Sequence, residues 1–179
     1  GEEALARADS DAAEVLLARA REAADTLRAE GAEPSETDLS RLDMLTGTML
    51  LRAGKPAEAE SALAAAVAVA QRTGNSSLHA EALLEIAQCH IARGKLDRGV
   101  EVAEEAAVIA GSSGDRLRAL AARITAGNAL RRLGRTVEAE ERFEAIHAIL
   151  DDDDPASLRS LVAQNLAWIC TLRGAFDEG

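Results

Sequence analysis

An all-α protein built from repeated antiparallel helix pairs is what this sequence predicts, and three observations carry the prediction. Alanine dominates an apolar content of 47%, and alanine is the strongest helix former. Aromatics make up 2% of the chain and tyrosine is absent, so residues that strands favour are scarce. A short phrase around a glycine also returns at a fixed interval. RAGKPAEAE stands at 52–60, ARGKLDRGV at 92–100, RLGRTVEAE at 132–140 and LRGAFDEG at 172–179, which sets Gly54, Gly94, Gly134 and Gly174 forty residues apart.

The segments follow in order. DSDAAEVLLARAREAADTLRAEG at 9–31 reads as the second helix of a first, partial repeat, and EGAEPSE at 30–36 as the loop after it. The next pair is 36–54 and 55–74, with Pro56 just inside the second helix, where its missing N–H does no harm. Over 76–94, Leu78, Leu83, Ile86, Ala87 and Ile91 recur at helical spacing. Ser76 or Ser77 can cap that start, and Gly94 supplies the left-handed residue that ends the helix. Its partner runs from 95 to 110 with Val100, Ala103, Ala107 and Ile109 or Ala110 inward, and GSSG at 111–114 breaks it. A further pair covers 115–134, capped by Asp115, and 135–150. In DDDDP at 151–155, Asp154 is expected to cap a last helix with Pro155 at its first position, the other aspartates favouring the positive helix end. A metal site there would need ligands converging from a second segment. The expectation is one array over 1–179 of about nine helices, with repeats at about 1–31, 36–74, 76–111, 115–151 and 155–179, the first and last partial. A last helix without its partner would expose an apolar flank, so more chain or a partner is expected at that end.

A net charge of −11 argues against a nucleic-acid partner, which needs a basic face, and against an anionic membrane surface. The apolar run SALAAAVAVA at 61–70 is too short to span a bilayer. No signal peptide is visible, although Gly1 is not a natural start and the chain is expected to belong to something longer. Cys89 and Cys170 lie two repeats apart, too far for a disulfide in a stacked array, and lone thiols fit a reducing cytoplasm. Lys55 and Lys95 are the only lysines among 20 basic residues, a usage that suggests, with the alanine, a GC-rich bacterial genome.

Catalysis has no visible basis. His79, His90 and His147 read as lying on three different helices, and no His-x-x-Glu-His, Cys-x-x-Cys or glycine-rich phosphate loop is present. Cys89 and His90 are adjacent, but neighbours on a helix diverge by about 100°. GSSGD at 111–115 follows no strand and is not a phosphate cradle. No enzyme, cofactor or metal is expected.

The pattern resembles the tetratricopeptide repeat, whose helix pair places a small residue in the first helix, a glycine at the turn and a small residue in the second helix. GNALRRLGRTVEAEERFEAI at 127–146 is the best match: Gly127 at the close-packing position, Gly134 at the turn, Ala139 at the small position and Phe143 at the large one. Ala87, Gly94, Gly99 and Ala103 correspond in one block, Gly47, Gly54, Ala59 and Leu63 in another, and Ala167, Gly174 and Gly179 in the last. The period is 40 rather than the usual 34 or so, as in the arrays of large bacterial transcriptional regulators and signalling ATPases. The family's aromatics are mostly replaced, and Asp43 and Arg123 occupy positions usually apolar.

The resemblance implies a right-handed superhelix, an α-solenoid, whose stacked pairs bury a shared core and present a concave wall. The wall would hold Arg41, Met44, Thr48 and Arg52, then Glu81, Leu84, Gln88 and Ile91, then Ile124, Asn128, Arg131 and Arg132, and last Gln164, Trp168 and Thr171. Four arginines against one glutamate suggest an acidic or polar extended partner, because arginine forks suit carboxylates. Asn128 matches an asparagine of the carboxylate-clamp members, but Met44, Leu84, Ile124 and Gln164 replace the clamp lysines, which argues against a chaperone-tail receptor. Trp168 serves equally as an interface anchor or as packing against a following helix. The implied function is a non-catalytic protein- or peptide-binding scaffold, one segment of a larger cytoplasmic bacterial regulator, with self-association through the C-terminal end as a further expectation. A ligand- or signal-peptide-sensing array, and the targeting arm of an enzyme whose catalytic part lies elsewhere, stand as alternatives.

Overall fold

The computed structural model describes residues 35–177 without a break, their side chains as far as Leu172, and scattered residues between 15 and 31. The first, partial repeat expected at about 1–31, with its helix over 9–31, therefore lies largely outside the described residues. Seven helices follow among the described residues: α1 Glu36–Arg52, α2 Pro56–Thr73, α3 Ser76–Ala92, α4 Leu96–Ser112, α5 Arg116–Arg132, α6 Thr136–His147 and α7 Ala156–Asp177. Each packs on the next, and α1, α3 and α5 also touch one another in turn, α1 on α3 and α3 on α5. The result is an all-α repeat solenoid of antiparallel helix pairs.

Two kinds of helix start alternate along it. The odd helices α1, α3 and α5 begin on a polar side chain. Ser35, Asn75 and Asp115 accept the N–H groups of Asp38, Leu78 and Arg118, each at 3.1 Å. The cap of α3 is thus Asn75, not Ser76 or Ser77. The even helices α2, α4 and α6 start at Lys55, Lys95 and Arg135 with no side-chain cap. The turn before them is locked from the backbone instead. Gly54, Gly94 and Gly134 stand at φ 74°, 75° and 77°. The next N–H then reaches five residues back: Lys55 to Leu50, Lys95 to His90 and Arg135 to Leu130, at 2.8–3.0 Å. Gly174 breaks the series, because α7 runs through it to Asp177. At the three earlier turns a second helix packs back at once and holds the left-handed residue.

Three other boundaries differ from expectation. α4 absorbs Gly111 and Ser112, and Gly114 at φ 79° makes the turn. α6 stops at His147 rather than Leu150. Asp154 does not cap α7. Its carboxylate, 5% exposed, accepts the Asp151 N–H at 2.9 Å and pairs with Arg116 of α5. Arg116, and then the Asp151 amide, hold its carboxyl below the usual aspartate range. A charged partner outcompetes the single amide that a helix start would offer.

Two core clusters share α3. One gathers Met44, Leu63, Leu78 and Cys89 from α1–α3, and the other Leu120, Leu130, Phe143 and Ile169 from the C-terminal helices. At the pair crossings the residue sizes compensate. A Cβ on Gly127 would lie 2.9 Å from the Phe143 ring, and one on Gly47 would strike Leu63. The intervening pair has Ala87 facing the phase of Ala103, and there Ile91 leans on Gly99, where a Cβ would meet it at 2.5 Å. Each repeat therefore fills one fixed gap between its helices with a different split of volume.

Candidate functional site

A groove of about 550 Å³ runs along the odd helices. Leu51 comes from α1, Gln88, Ile91 and Ala92 from α3, Ala121, Ile124, Thr125, Asn128 and Arg132 from α5, and Leu158 and Leu161 from α7. Along α5 the lining spacing of three or four residues follows one helical face. Its floor is aliphatic, and amides and one guanidinium stand among the apolar groups. A second hollow of about 600 Å³ opens beside the C-terminal end of α6, lined by His147, Asp151, Asp152 and Arg159 among others. Its main charges already answer one another, Arg159 donating to Asp152 at 2.7 Å.

The expected wall residues divide between these surroundings. Gln88, Asn128 and Arg132 line the groove, as do Ile91 and Ile124. Arg41, Arg52 and Gln164 are exposed and Thr48 half-buried outside the lining. Met44 is a correction: it is 7% exposed and belongs to the core under α2, because its helix face is covered by the neighbouring pair. Arg131 is held over the Trp168 ring at 4.5 Å, and Trp168 remains 42% exposed. Leu51, Ala92, Ala121, Thr125, Leu158 and Leu161 were not anticipated. The forty-residue phase contained the signal: Ala121 and Leu161 repeat the position of Arg41, and Ala92 that of Arg52.

The charges are sorted by place. Arg72 pairs with Glu36 at 3.0 Å, Arg142 with Glu104 at 2.6 Å, and Arg93 with Glu60. Arg118 binds Asp115 and reaches Glu81 at 3.1 Å, so the expected wall glutamate is already neutralised. Arg41, Arg52, Arg123, Arg131 and Arg132 have no carboxylate within 4.0 Å among the described residues, and of these Arg132 alone lines the groove. Glu85 of α3 was also unanticipated. Burial raises its carboxyl pKa, and the nearby Arg52 only partly offsets this.

His79 and His90 share α3, which corrects their expected placement on separate helices, but they are 11 residues apart, about 16 Å along the axis. No group of three His, Cys, Asp or Glu that could hold a metal occurs among the described residues. His90 is 7% exposed, with Nε2 3.8 Å from Glu60 and no hydrogen-bond partner for Nδ1 among the described residues. Burial lowers its pKa, against the upward pull of Glu60 and with Arg98, Lys95 and Arg93 adding to the fall. The folded state therefore binds this proton less readily than the unfolded chain. Stability from neutral His90 is complete above about pH 6.5 and is lost as pH falls from there toward the depressed folded value. Urea midpoints across that range should fall less steeply for His90→Gln; equal slopes would show that His90 is not the group responsible.

The architecture is similar to that of a protein of Podosopora anserina described as a kinesin light chain with nearly identical TPR-like repeats. Two crystal structures, one of a point variant, match with TM-scores of 0.66 and 0.67 at 21% identity, over 96% of this chain and 88% of that one. No protein-family model matches the chain, and no curated protein does. The likeness fixes the fold as a TPR-like repeat array. No helix among the described residues is long and apolar enough to cross a membrane.

Proposed function

We propose that this chain is a non-catalytic scaffold that binds a protein or an extended peptide, acidic in character, along the groove of α1, α3, α5 and α7. The observation that carries the reading is the lining itself: an aliphatic floor drawn from four helices, with the amides of Gln88 and Asn128 and the unpaired Arg132 among it. Buried aliphatic contact supplies affinity, amides can bond a peptide backbone, and arginine favours acidic side chains. The forty-residue period and the arginine-rich, alanine-rich usage support a place within a larger cytoplasmic bacterial regulatory or signalling protein. The charge of −11 disfavours nucleic acid and anionic membrane. A second copy meeting the exposed flank of α7 is the runner-up occupant of that end.

A photo-crosslinking residue at Asn128, compared with one at Val108 on the exposed side of α4, tests this in cells. Position 128 should capture a discrete protein that position 108 does not. Equal capture at both positions, or none at 128, would count against the groove.

A further inference from the structure

We propose that the corner formed by Arg131, Trp168 and Arg132 binds a side-chain carboxylate of an acidic peptide, while a neighbouring aliphatic side chain of that peptide occupies the trough of Ala121, Ile124, Leu158 and Leu161. This rests on the reading of the groove as a peptide site and assigns it a chemistry.

The argument begins with charge. In a chain with 31 acidic residues, an arginine without a carboxylate is the exception. Most other arginines among the described residues are held in pairs, such as Arg72–Glu36 and Arg142–Glu104, and the unpaired Arg41, Arg52 and Arg123 stand singly. Arg131 and Arg132 are adjacent and both unpaired among the described residues. Arg132 follows Asn128 at the end of the groove lining, and Arg131, one residue before it on α5, lies just outside the lining against Trp168.

Arg131 is also preorganised. Its guanidinium lies 4.5 Å from the centre of the Trp168 ring, and its Nε is buried without an acceptor among the described residues. Stacking occupies one face of the guanidinium and leaves its edge, with the terminal N–H groups, for a bidentate partner. A cation already fixed in place loses less rotamer entropy when it binds. Partial desolvation by the ring strengthens its attraction for an anion.

Apolar surface sits alongside. Trp168 and Leu161 are 42% and 41% exposed, two turns apart on the same face of α7. Leu161 and Leu158 reach the trough from that helix. An acidic group and an aliphatic group close together in one peptide match this juxtaposition of cation and aliphatic wall. Two guanidiniums suit one or two carboxylates, and a densely anionic polymer would meet the repulsion of the remaining chain.

Trp168 is the sole tryptophan, so its emission reports directly on the corner. The experiment titrates the purified chain with a short synthetic peptide bearing one leucine flanked by glutamates, a counterpart with glutamines, and one with phosphoserines, reading peptide anisotropy and Trp168 emission. The glutamate peptide should bind and change the emission, at least about tenfold more tightly than the glutamine peptide, with the difference shrinking in salt. Arg131→Gln and Arg132→Gln, checked for unchanged helical circular dichroism, should each reduce that preference, and Leu161→Ala should weaken glutamate and glutamine peptides alike. If both peptides bind equally and both change the emission, the carboxylate assignment is overturned while the groove reading survives. If a peptide binds with no change in emission and no effect of Arg131→Gln, the corner is overturned, and capture at position 128 decides the groove reading. Binding of the phosphoserine peptide alone, or of none, also overturns the carboxylate, and capture at position 128 then decides the groove separately.

Discussion

Phe143→Ala should destabilise the fold by about 3–5 kcal/mol, the range for removing a fully buried aromatic ring. Phe143 has no exposed surface and its ring fills the space left by the missing Cβ of Gly127. The informative variant is the double one. Gly127→Ala alone should cost about 1–3 kcal/mol, because the new methyl would lie 2.9 Å from the ring and the ring cannot retreat from a packed core. Combined with Phe143→Ala, the same methyl enters a cavity and becomes stabilising. The double variant reproduces the Ala87 and Ala103 combination of the preceding repeat. It should therefore lose less than the sum of the singles, by about 1–2 kcal/mol. Rescue should stay incomplete, because that repeat also fills its gap with Ile91 on Gly99, whereas the phase equivalents here are Arg131 and Ala139. Urea unfolding with matched m-values would measure this. Additive losses would mean that equal phase in the sequence does not imply equal packing.

That compensation explains how much of the molecule was legible beforehand. A left-handed turn and a close helix crossing are local demands that one residue answers, so Gly54, Gly94, Gly134, Gly47 and Gly127 announced themselves by recurrence. Gly174 carried the same signal, yet α7 runs through it to Asp177, so recurrence of a glycine alone does not set a turn. Asp154 was misread for a different reason. Its charge partner Arg116 is 38 residues away in the chain, and no local pattern ranks that pair above a helix cap. The groove was half legible. Phase tells which side of a helix a residue occupies but not how deeply neighbours cover it. Met44 and Gln164 share a phase, yet Met44 lies in the core and Gln164 on the exposed flank of α7. Searching for polar partner-binding residues also passed over Leu158 and Leu161, which form the apolar wall.

The two thiols should differ in reactivity by far more than a hundredfold. Cys170 is exposed on α7, and Cys89 is fully buried in the N-terminal cluster. Burial, then the charges of Glu60 and Glu85, push the Cys89 thiol from 9.0 to about 11. Thiolate is the reactive form, so this alone makes it about a hundredfold scarcer at neutral pH, before access is considered. An aromatic disulfide reagent should consume Cys170 at once and Cys89 at the rate at which its surroundings open. That rate then reads the cooperativity of the array when measured in Phe143→Ala, which damages only the C-terminal cluster. In a fully cooperative protein a loss of 3–5 kcal/mol raises the open population, and with it Cys89 labelling, by about two to nearly four powers of ten. In a stack whose neighbours couple only pairwise, α1 to α3 open independently and the Cys89 rate barely moves. The position of Cys89 on α3, the helix both clusters share, favours an intermediate acceleration: the C-terminal cluster braces one face of α3, and Cys89 packs on the other. An unchanged rate would limit that bracing to a negligible share of the stability around Cys89. Acceleration by the full factor would make the described helices a single cooperative unit despite their repetition.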